Sequence, residues 1–563
     1  MNTVPAEFLA LQRLYHWEEA TPASVTLTQP MGKGVLQDFT WAEVADQVRR
    51  MATHLKSQAW EPGSKVAILS KNCAWWLMSD LAIWMAGYVS VPLYPTLASA
   101  TVRQILVHSE ARACFVGKLD DWGSMKAGMP DDLPCISYAL SPADVRQRFD
   151  SWDAICSRTE PLQGTPLRGG EELATLIYTS GTTGLPKGVM HSFDNFSWAL
   201  DQGIARIPMA TSDRMLSYLP LAHVVERVLV EHGWLRTAMH VFFADSLDTF
   251  TADVQRAHPT IFFSVPRLWV KFQQGVHEKV PPATLQLLLK IPLLGGLLRR
   301  KLLKALGLDQ CRLAAGGAAP MPVALLAWYR TLSLPINEGY GMTENLVLSH
   351  LTLPGKNQEG SVGPAYAGVQ ARIDAQTGEI QMRSEALMMG YYKEPDMSRG
   401  VFTDDGWLRT GDKGFVDAQN CLHITGRLKD LFKTSKGKYV APAPIEDRLV
   451  MHEALEACVV TGANLSQPLG IVLLNANAVA KIGNPGAKAA LQASLTAHLQ
   501  DINSTLDPHE QLACLVVIAT PWSVENDVIT PTFKVKRNRI EDLYATQYEG
   551  WVNSGQKIIW QTA

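Results

Sequence analysis

The fold of this chain is decided by residues 178–188, which read YTSGTTGLPKG. They follow a strand-like apolar run at 174–177. Glycines let backbone N–H groups approach an anion closely, the hydroxyl side chains add donors, and Lys187 adds a positive charge. Such a set suits a polyphosphate. It is not a Walker A loop, because G-x-x-x-x-G-K-[ST] does not occur, and an ordinary turn rich in Gly, Ser and Thr is the alternative.

Short apolar runs alternate with helix-like segments through most of the chain. This alternation is typical of buried parallel strands joined by helices, and it predicts a doubly wound α/β fold. The strand candidates are 66–69, 89–93, 113–116, 173–178, 260–265 and 312–314, and the helix candidates include 75–86 and 99–108.

The sequence pattern changes after about residue 360, where shorter strand-like runs are separated by turns rich in Gly, Asp and Asn. This pattern predicts a more antiparallel, β-rich subdomain at about 360–428. A smaller α/β unit follows, with strand candidates at 457–460, 469–474 and 515–518. We therefore predict a large N-terminal domain, 1–428, and a small C-terminal domain, 429–563.

Composition narrows the class of protein. The chain has 563 residues, 47% of them apolar, and a net charge of −3, which argues against nucleic-acid binding driven by overall charge. Its eight cysteines are scattered without zinc spacing, as expected in a reducing compartment. The most apolar stretch, 285–308, contains Pro292 and several cations, so a membrane-spanning helix is not expected there. We expect Pro292 and the pair Gly295–Gly296 to interrupt any single continuous helix in it. No secretory signal is evident, and we expect a cytoplasmic protein.

Four further motifs could complete a nucleotide site. An aromatic ring can stack on adenine, a hydroxyl can bind a phosphate, a carboxylate can hold Mg²⁺ or ribose, and an arginine can brace the sugar. Taken singly, each of these side chains would more often be a turn residue or a surface ion pair. The motifs are AGGAAP at 315–320, EGYGMTE at 338–344, GWLRTGD at 406–412 with GR at 426–427, and TPTFKVKR at 530–537.

Together with the loop, these motifs resemble the adenylate-forming superfamily of acyl-CoA synthetases, luciferases and peptide-synthetase adenylation domains. The motifs occur in the family's order, and the resemblance runs from about Phe39 to Glu541. It implies a large AMP-binding domain of doubly wound sheets with a β-rich subdomain, and a small, mobile α/β lid.

The resemblance also assigns the ATP site residue by residue. Tyr340 would stack on adenine, Thr343 would bind the α-phosphate, and Glu344 would hold Mg²⁺, with Thr183 as a weaker second ligand. Asp412 and Arg427 would hold the ribose. The remaining ATP-binding positions are Thr179, Ser180, Gly181, Thr182, Thr183, Gly184 and Lys187 for phosphate, Gly317, Ala318 and Ala319 for adenine, and Glu338, Gly339, Gly341 and Met342.

Lys534 aligns with the family's catalytic lysine, which bridges the attacking carboxylate and the α-phosphate. Lys536 is the alternative for this role. We prefer Lys534, because aligning it with the catalytic lysine places Arg537 where the family has an arginine. Lys429 occupies the hinge position about which the lid would swing. Lys436 and Gly437 would then border the pantetheine tunnel of CoA.

The acid is indicated by LPLAHVVER at 219–227, which looks like the corresponding segment of long-chain fatty acyl-CoA synthetases. There His223 would lie beside the acyl adenylate, although it could simply begin a helix. No Asp aligns with the family's amino-acid-binding position, which disfavours an amino-acid substrate.

The resemblance therefore implies an ATP-, Mg²⁺- and CoA-dependent ligase of fatty acid and lipid metabolism, acting on medium- to long-chain acids. Transfer of the adenylate to an acyl carrier protein, cyclisation of a β-hydroxy acid, and a non-catalytic nucleotide sensor are the alternatives. Homodimer formation stays open. The leucines at 285–308 could rest on an anionic membrane or pack against the large domain.

Overall fold

A computed structural model describes residues 4–180, 186–353, 356, 360–518, 520–523, 526, 528–530 and 534–561, with only the backbone of Ser180. Its largest sheet has eight strands and confirms the predicted parallel series. Among the described strands of this sheet, only Pro186–Ser192 runs against the others, antiparallel to both Leu173–Ser180 and Gly390–Tyr391. The spatial order is Gly390–Tyr391, Pro186–Ser192, Leu173–Ser180, Val89–Leu93, Lys65–Leu69, Ala111–Val116, Cys135–Ser137 and Asp150–Ser151.

Two four-stranded sheets complete the large α/β unit. In the second of them, Ile261–Ser264, Leu313–Gly316 and Ile336–Tyr340 run parallel, so their carboxyl ends meet at one edge. The orders are Arg214–Ser217, His240–Phe243, Val25–Pro30, Leu36–Thr40, and Ile261–Ser264, Leu313–Gly316, Ile336–Tyr340, His350–Leu351.

The region after residue 360 forms an antiparallel sheet, as predicted. Its strands, in spatial order, are Gln370–Ile373, Glu379–Arg383, Leu408–Val416 and Leu422–Arg427. Asp412 and Arg427 are cross-strand partners in this sheet. The sheet therefore brings together two residues that are 15 positions apart in the chain.

The C-terminal part has its own sheet and core. A two-stranded hairpin, Phe432–Lys433 with Tyr439–Val440, precedes it. The edge strand Ile558–Trp560 lies beyond every recognised motif, yet it pairs in parallel with Leu515–Ile518 and buries Ile558. The sheet order is Leu455–Thr461, Leu469–Leu474, Leu515–Ile518 and Ile558–Trp560.

Helices cover the sheets. Ala74–Met85 is buried along its whole length because nearly every residue in it is apolar or aromatic. It matches the predicted helix 75–86, and Ser99–Ser109 matches 99–108. The other α-helices of seven or more residues are Ala10–Ala20, Trp41–Ser57, Trp152–Arg158, Phe193–Arg206, Phe250–Ala257, Pro266–Lys279, Pro282–Lys290, Leu294–Leu306, Val323–Thr331, Pro442–Leu449, Pro485–Asn503 and Arg537–Tyr544.

Shorter helical segments fill the connections. They are Trp122–Met125, Ala143–Arg148, Val224–Glu226, Gly233–Thr237, Pro395–Gly400, Ala476–Lys481 and Tyr548–Asn553, with a π-helix at Arg227–His232 and 3₁₀ turns at Ala6–Phe8, Lys126–Gly128, Thr343–Asn345 and Ala545–Gln547.

The apolar stretch at 285–308 is interrupted once. Pro282–Lys290 and Leu294–Leu306 are separate helices, and Pro292 lies in the break. The expectation that Gly295 and Gly296 also interrupt the helix is wrong, because both lie in its first turn, where Gly295 packs against the Leu289 carbonyl. Within the described residues, no helix is long and apolar enough to cross a membrane.

Candidate active site

The segment Glu338–Glu344 lies at the centre of the site. It leaves the end of strand Ile336–Tyr340, beside the end of the parallel strand Leu313–Gly316. A Cβ on Gly317 would lie 2.8 Å from the Gly339 carbonyl oxygen, so only glycine permits this approach of two backbones. Ala318 then adopts a φ of +67°. The two strand ends thus present closely spaced backbone, on which a flat group can lie.

Tyr340 connects this edge to the antiparallel sheet. Its hydroxyl donates to Asp412 Oδ2 at 2.6 Å, while Arg427 Nε lies 3.3 Å from Asp412 Oδ1. Burial and the Asp412 carboxylate both raise the pKa of Tyr340 well above its usual value. The structure therefore brings together three predicted residues from two different sheets.

Lys534 reaches the same cluster from the C-terminal part. Two backbone contacts hold its position: Ile529 pairs with Val535, and Thr530 N donates to the Lys534 carbonyl oxygen at 2.8 Å. The side chain keeps contact with solvent, but the surrounding protein atoms, followed by the Arg427 charge, lower its pKa to about 8, against the opposing effect of Asp412. The ammonium is thus held close to the predicted ribose-binding pair.

Lys187 and Glu344 both lie next to Tyr391. The Lys187 Nζ lies 5.4 Å from the centre of the Tyr391 ring, and the Tyr391 hydroxyl donates to Glu344 Oε1 at 2.8 Å. His191, on the strand that begins just before Lys187, donates from Nε2 to the Thr343 carbonyl oxygen at 2.7 Å. Burial lowers the pKa of His191 to about 4, so the ring is a neutral donor. The short segment therefore touches the loop strand at one end and the Lys534 cluster at the other.

Met342 and Gly341 shape the turn between these two ends. Met342 N donates to Asn345 Oδ1 at 2.9 Å, and Val347 N donates to the Met342 carbonyl oxygen. A Cβ on Gly341 would lie 2.3 Å from the Val347 carbonyl carbon, so glycine is required there. This turn sets the orientation of Thr343 and Glu344.

His223 begins the short helix Val224–Glu226, as the structural alternative expected. Val225 N donates to His223 Nδ1 at 3.3 Å, which places the proton of the neutral ring on Nε2. Burial, followed by the Lys534 charge, lowers the pKa of His223 to about 3. The ring is therefore an uncharged group at the Lys534 side of the site.

The segment around His223 is anchored by a buried polar network that the sequence did not reveal. Glu226 Oε1 accepts from Ser217 Oγ at 2.8 Å and from Tyr218 N at 2.9 Å, and burial raises the Glu226 pKa to about 8. Asn72 Nδ2 donates to the Leu219 carbonyl oxygen, and its Oδ1 accepts from Leu221 N. A carboxylate inside the apolar run 219–227 was the available signal for Glu226. The sequence gave no signal for three other residues of the site, which lie outside every motif assignment: Asn72, Tyr391 and His191.

The predicted hinge and CoA residues lie elsewhere. Lys429 is exposed in the turn that follows strand Leu422–Arg427. Lys436 is exposed, and Gly437 has a φ of +74°, in the turn of the two-stranded hairpin. Within the described residues, no hydrogen bond or ion pair joins this turn to the Lys534 cluster. Gly181, Thr182, Thr183 and Gly184 lie outside the described residues.

The large unit and the C-terminal unit contact each other near the nucleotide motifs. Arg267 forms an ion pair with Glu456, and Asn477 Nδ2 donates to Glu278 Oε1 at 2.9 Å. Burial raises the pKa of Glu338 to about 8, with a smaller contribution from Asp447, which lies on helix Pro442–Leu449. The C-terminal unit therefore packs next to the nucleotide motifs.

The donor set suits a magnesium ion held mainly by a substrate. Within the described residues, no three His, Cys, Asp or Glu side chains form a metal site by themselves. Mg²⁺ commonly uses one or two carboxylates together with phosphate oxygens and water. Glu344, with Tyr391 bonded to Oε1, fits that role as a single protein ligand.

Comparison with known proteins gives consistent matches. The family described as AMP-binding enzyme matches residues 14–392, and the family described as AMP-binding enzyme C-terminal domain matches residues 429–553. The long-chain-fatty-acid–CoA ligase FadD15 of Mycobacterium bovis is 30% identical, over 92% of this chain and 93% of its own length. Long chain acyl-CoA synthetase 2 of Arabidopsis thaliana is 28% identical, over 92% and 88%.

Solved structures show the same fold. The A domain of carboxylic acid reductase from Segniliparus rugosus, solved with AMP and a carboxylic acid, has a TM-score of 0.80 at 22% identity, over 97% of this chain and 94% of that chain. The anthranilate CoA ligase AuaEII, solved with anthranoyl-AMP, has a TM-score of 0.78 at 21% identity, over 96% and 98%. The predicted fold class is thereby confirmed.

Proposed function

We propose, since the chain belongs to the AMP-binding enzyme family, that it activates a carboxylic acid with ATP and transfers the acyl group to CoA. The proposed acid is a medium- to long-chain fatty acid. The observation that carries the proposal is the cluster of Tyr340, Asp412 and Arg427 in the large unit, whose charges act on Lys534 of the C-terminal unit.

The first half-reaction joins two anions. A carboxylate oxygen attacks the α-phosphorus of ATP, the bond from that phosphorus to pyrophosphate breaks, and acyl-AMP forms. Repulsion between the carboxylate and the phosphate oxygens is strong where water is excluded, so a cation is needed at the attacking side. We assign that cation to Lys534, and the charge on the departing pyrophosphate side to Lys187.

The nucleotide would be oriented by groups on two sheets and on the 3₁₀ turn Thr343–Asn345. A carboxylate accepts up to about four hydrogen bonds. Because Tyr340 and Arg427 use only part of this capacity, Asp412 can also accept hydrogen bonds from the ribose hydroxyls. The Tyr340 ring would stack on adenine, and the Thr343 hydroxyl would bind the α-phosphate. Glu344 would hold Mg²⁺, which supplies positive charge to the phosphates when bound.

The second half-reaction replaces AMP by CoA. The CoA sulfur attacks the acyl carbonyl carbon, the bond from that carbon to the phosphate oxygen breaks, and AMP leaves with the electron pair. We assign the hinge of the preceding lid movement to Lys429 and a border of the CoA path to Lys436 and Gly437. A turn needs only to tolerate a change in φ and ψ, so a lysine serves at this position.

A fatty acid is favoured as substrate for two reasons. Relatives that match over most of the chain are named long-chain fatty acid ligases. In addition, the uncharged His223 and the apolar residues around it suit a neutral acyl chain beside the carboxylate.

A panel of carboxylic acids, scored for pyrophosphate and AMP release with and without CoA, tests the proposal. We expect acid-dependent pyrophosphate release that is greatest for medium to long chains, and AMP release that requires CoA. If AMP release requires an acyl carrier protein, or occurs with a β-hydroxy acid alone, the acceptor is wrong but the adenylation stands. Nucleotide binding without acid-dependent pyrophosphate release would contradict the enzyme assignment and indicate a nucleotide sensor.

A further inference from the structure

The helices Pro282–Lys290 and Leu294–Leu306, with the turn between them, form a leucine-rich hairpin (residues 282–306). One side of this hairpin packs on the protein. Leu285 and Leu289 are buried in the core around Trp269, and a second set packs partly against the same core, namely Leu298, Leu302, Leu303 and Leu306. These leucines account for the attachment of the hairpin to the large unit.

The other side of the hairpin exposes a contiguous apolar surface. Scattered exposed leucines are ordinary, but a cluster within one short stretch indicates a contact surface. The exposed side chains and their exposed fractions are Leu287 66%, Ile291 41%, Leu293 89%, Leu294 45% and Leu297 65%.

The most exposed leucine is held outward by an unusual backbone. Leu293 has φ +65° and ψ −51°, and Leu294 N donates to the Pro292 carbonyl oxygen at 2.7 Å. These are the features of a γ-turn with positive φ at its centre, which is rare and strained for a residue with a side chain. The fold thus keeps Leu293 at the tip in a conformation that gains it no burial.

Positive charge borders this apolar tip. No Asp or Glu occurs between Glu278 and Asp309, and the exposed cations of the hairpin are Lys290, Arg300, Lys301 and Lys304. Among the residues that the structure describes, none of these four side chains forms an ion pair. Leu294, Leu297, Lys301 and Lys304 follow one another at helical spacing on one face, so apolar tip and cationic flank share a surface.

We propose that this surface docks on an anionic phospholipid bilayer. The leucines at the turn enter the acyl-chain boundary, and the cations lie at the level of the lipid phosphates, to which long side chains can reach. Charge complementarity favours anionic lipid over a second copy of this chain, whose matching hairpin would bring like charges together. Docking would let the enzyme collect an acid that is dissolved in the bilayer. This advantage rests on the proposed function, whereas the docking itself does not.

Vesicle co-sedimentation tests the proposal. With the full chain and vesicles of phosphatidylcholine and phosphatidylglycerol, we expect binding that falls at least tenfold with pure phosphatidylcholine. Leu293→Glu with Leu297→Glu should lower binding to anionic vesicles at least tenfold, and Arg300→Glu with Lys301→Glu should do the same. The matched controls, Leu167→Glu and Arg146→Glu with Arg148→Glu, change equally exposed side chains elsewhere and should leave binding unchanged.

Other results would overturn the proposal. These are absence of vesicle binding, equal binding to neutral vesicles, or equal loss in the controls. A concentration-dependent dimer that Leu293→Glu dissociates, without vesicle binding, would assign the surface to a second copy. Acid-dependent pyrophosphate release, measured in parallel with a water-soluble acid, should be the same in wild type and variants. Its absence from the wild type would overturn the proposed function while leaving the docking result intact.

Discussion

Two regions of the C-terminal unit differ in their surroundings: one is close to charges of the large unit, and the other is exposed. Lys534 lies among charges of the large unit, and its pKa responds to Arg427 and Asp412. The turn with Lys436 and Gly437 is exposed. The same small unit would have to present both regions to one site in turn. We therefore interpret the observed arrangement as that of adenylation, and the exposed turn as the face used after the lid has moved.

Replacing the lysine gives the largest expected effect and tests this comparison directly. Lys534→Ala should lower acyl-AMP formation about a thousandfold, because the attacking carboxylate loses its cation in a site with little water. Thioester formation from supplied acyl-AMP should change by no more than about threefold. Both half-reactions are measured separately, with Lys536→Ala as the neighbouring control. Equal losses in the two steps would contradict the assigned role.

Asp412 should not distinguish the two half-reactions, since AMP is present in both. Asp412→Asn removes the negative charge that Tyr340 and Arg427 contact, and hydrogen bonds to charged groups contribute about 1.5–3 kcal/mol. We expect the KM for ATP to rise about 10- to 100-fold, with a similar loss in the thioester step. Tyr340→Phe keeps the ring and loses one hydrogen bond, so a smaller rise is expected. An effect confined to adenylation would be inconsistent with ribose binding.

Glu344 should affect the metal rather than the acid. Glu344→Gln keeps an acceptor for the Tyr391 hydroxyl but loses the charge expected to bind Mg²⁺. The Mg²⁺ concentration that gives half-maximal pyrophosphate release should rise about tenfold, with KM for the acid unchanged. Titration of Mg²⁺ at fixed ATP measures this. An unaltered metal dependence would remove Glu344 from the metal site.

The pH profile sharpens the contrast between the two steps. The ammonium of Lys534 is the active form, and its pKa is about 8, so it is mostly charged at pH 7 and mostly neutral at pH 9. The kcat/KM for adenylation should therefore fall about tenfold per pH unit above that pKa. Lys534→Arg, which stays protonated, should flatten this limb even if its overall rate is lower. A wild-type profile that is level from pH 7 to 9 would show that Lys534 is not the titrating cation.

The contacts between the two units should give the smallest effect. Arg267→Ala removes the ion pair with Glu456, and both side chains are partly exposed, so the pair is worth at most about 1 kcal/mol. Adenylation should slow by about two- to threefold, while the thioester step is unchanged or slightly faster. Arg399→Ala, in an exposed pair with Asp396, is the control. Slowing of both steps alike would indicate general destabilisation.

The sequence predicted the strands for a physical reason, and the structure brings the motif residues Tyr340, Asp412 and Arg427 together. Short apolar runs, such as 66–69 and 113–116, depend on local chemistry, and the motifs are contiguous. It could not predict the partners of those motifs. The bond between Tyr391 and Glu344 joins residues 47 positions apart, and Asn72 supports a segment about 150 positions away. Such contacts are set by packing of distant elements, which leaves no periodic signal. The two glycines at 295 and 296 were misjudged because a first helical turn tolerates glycine.

The edge strand Ile558–Trp560 bears on how this protein should be handled in the laboratory. Its pairing with Leu515–Ile518, the burial of Ile558 and the bond from Trp560 Nε1 to Gln492 all depend on a few residues near the carboxyl end. Proteolytic trimming there would uncover the β-sheet against which Ile529 and Val535, the neighbours of Lys534, pack. A purification tag is therefore better fused at the amino end, and a preparation should be checked for an intact carboxyl end by mass spectrometry before a weak activity is interpreted.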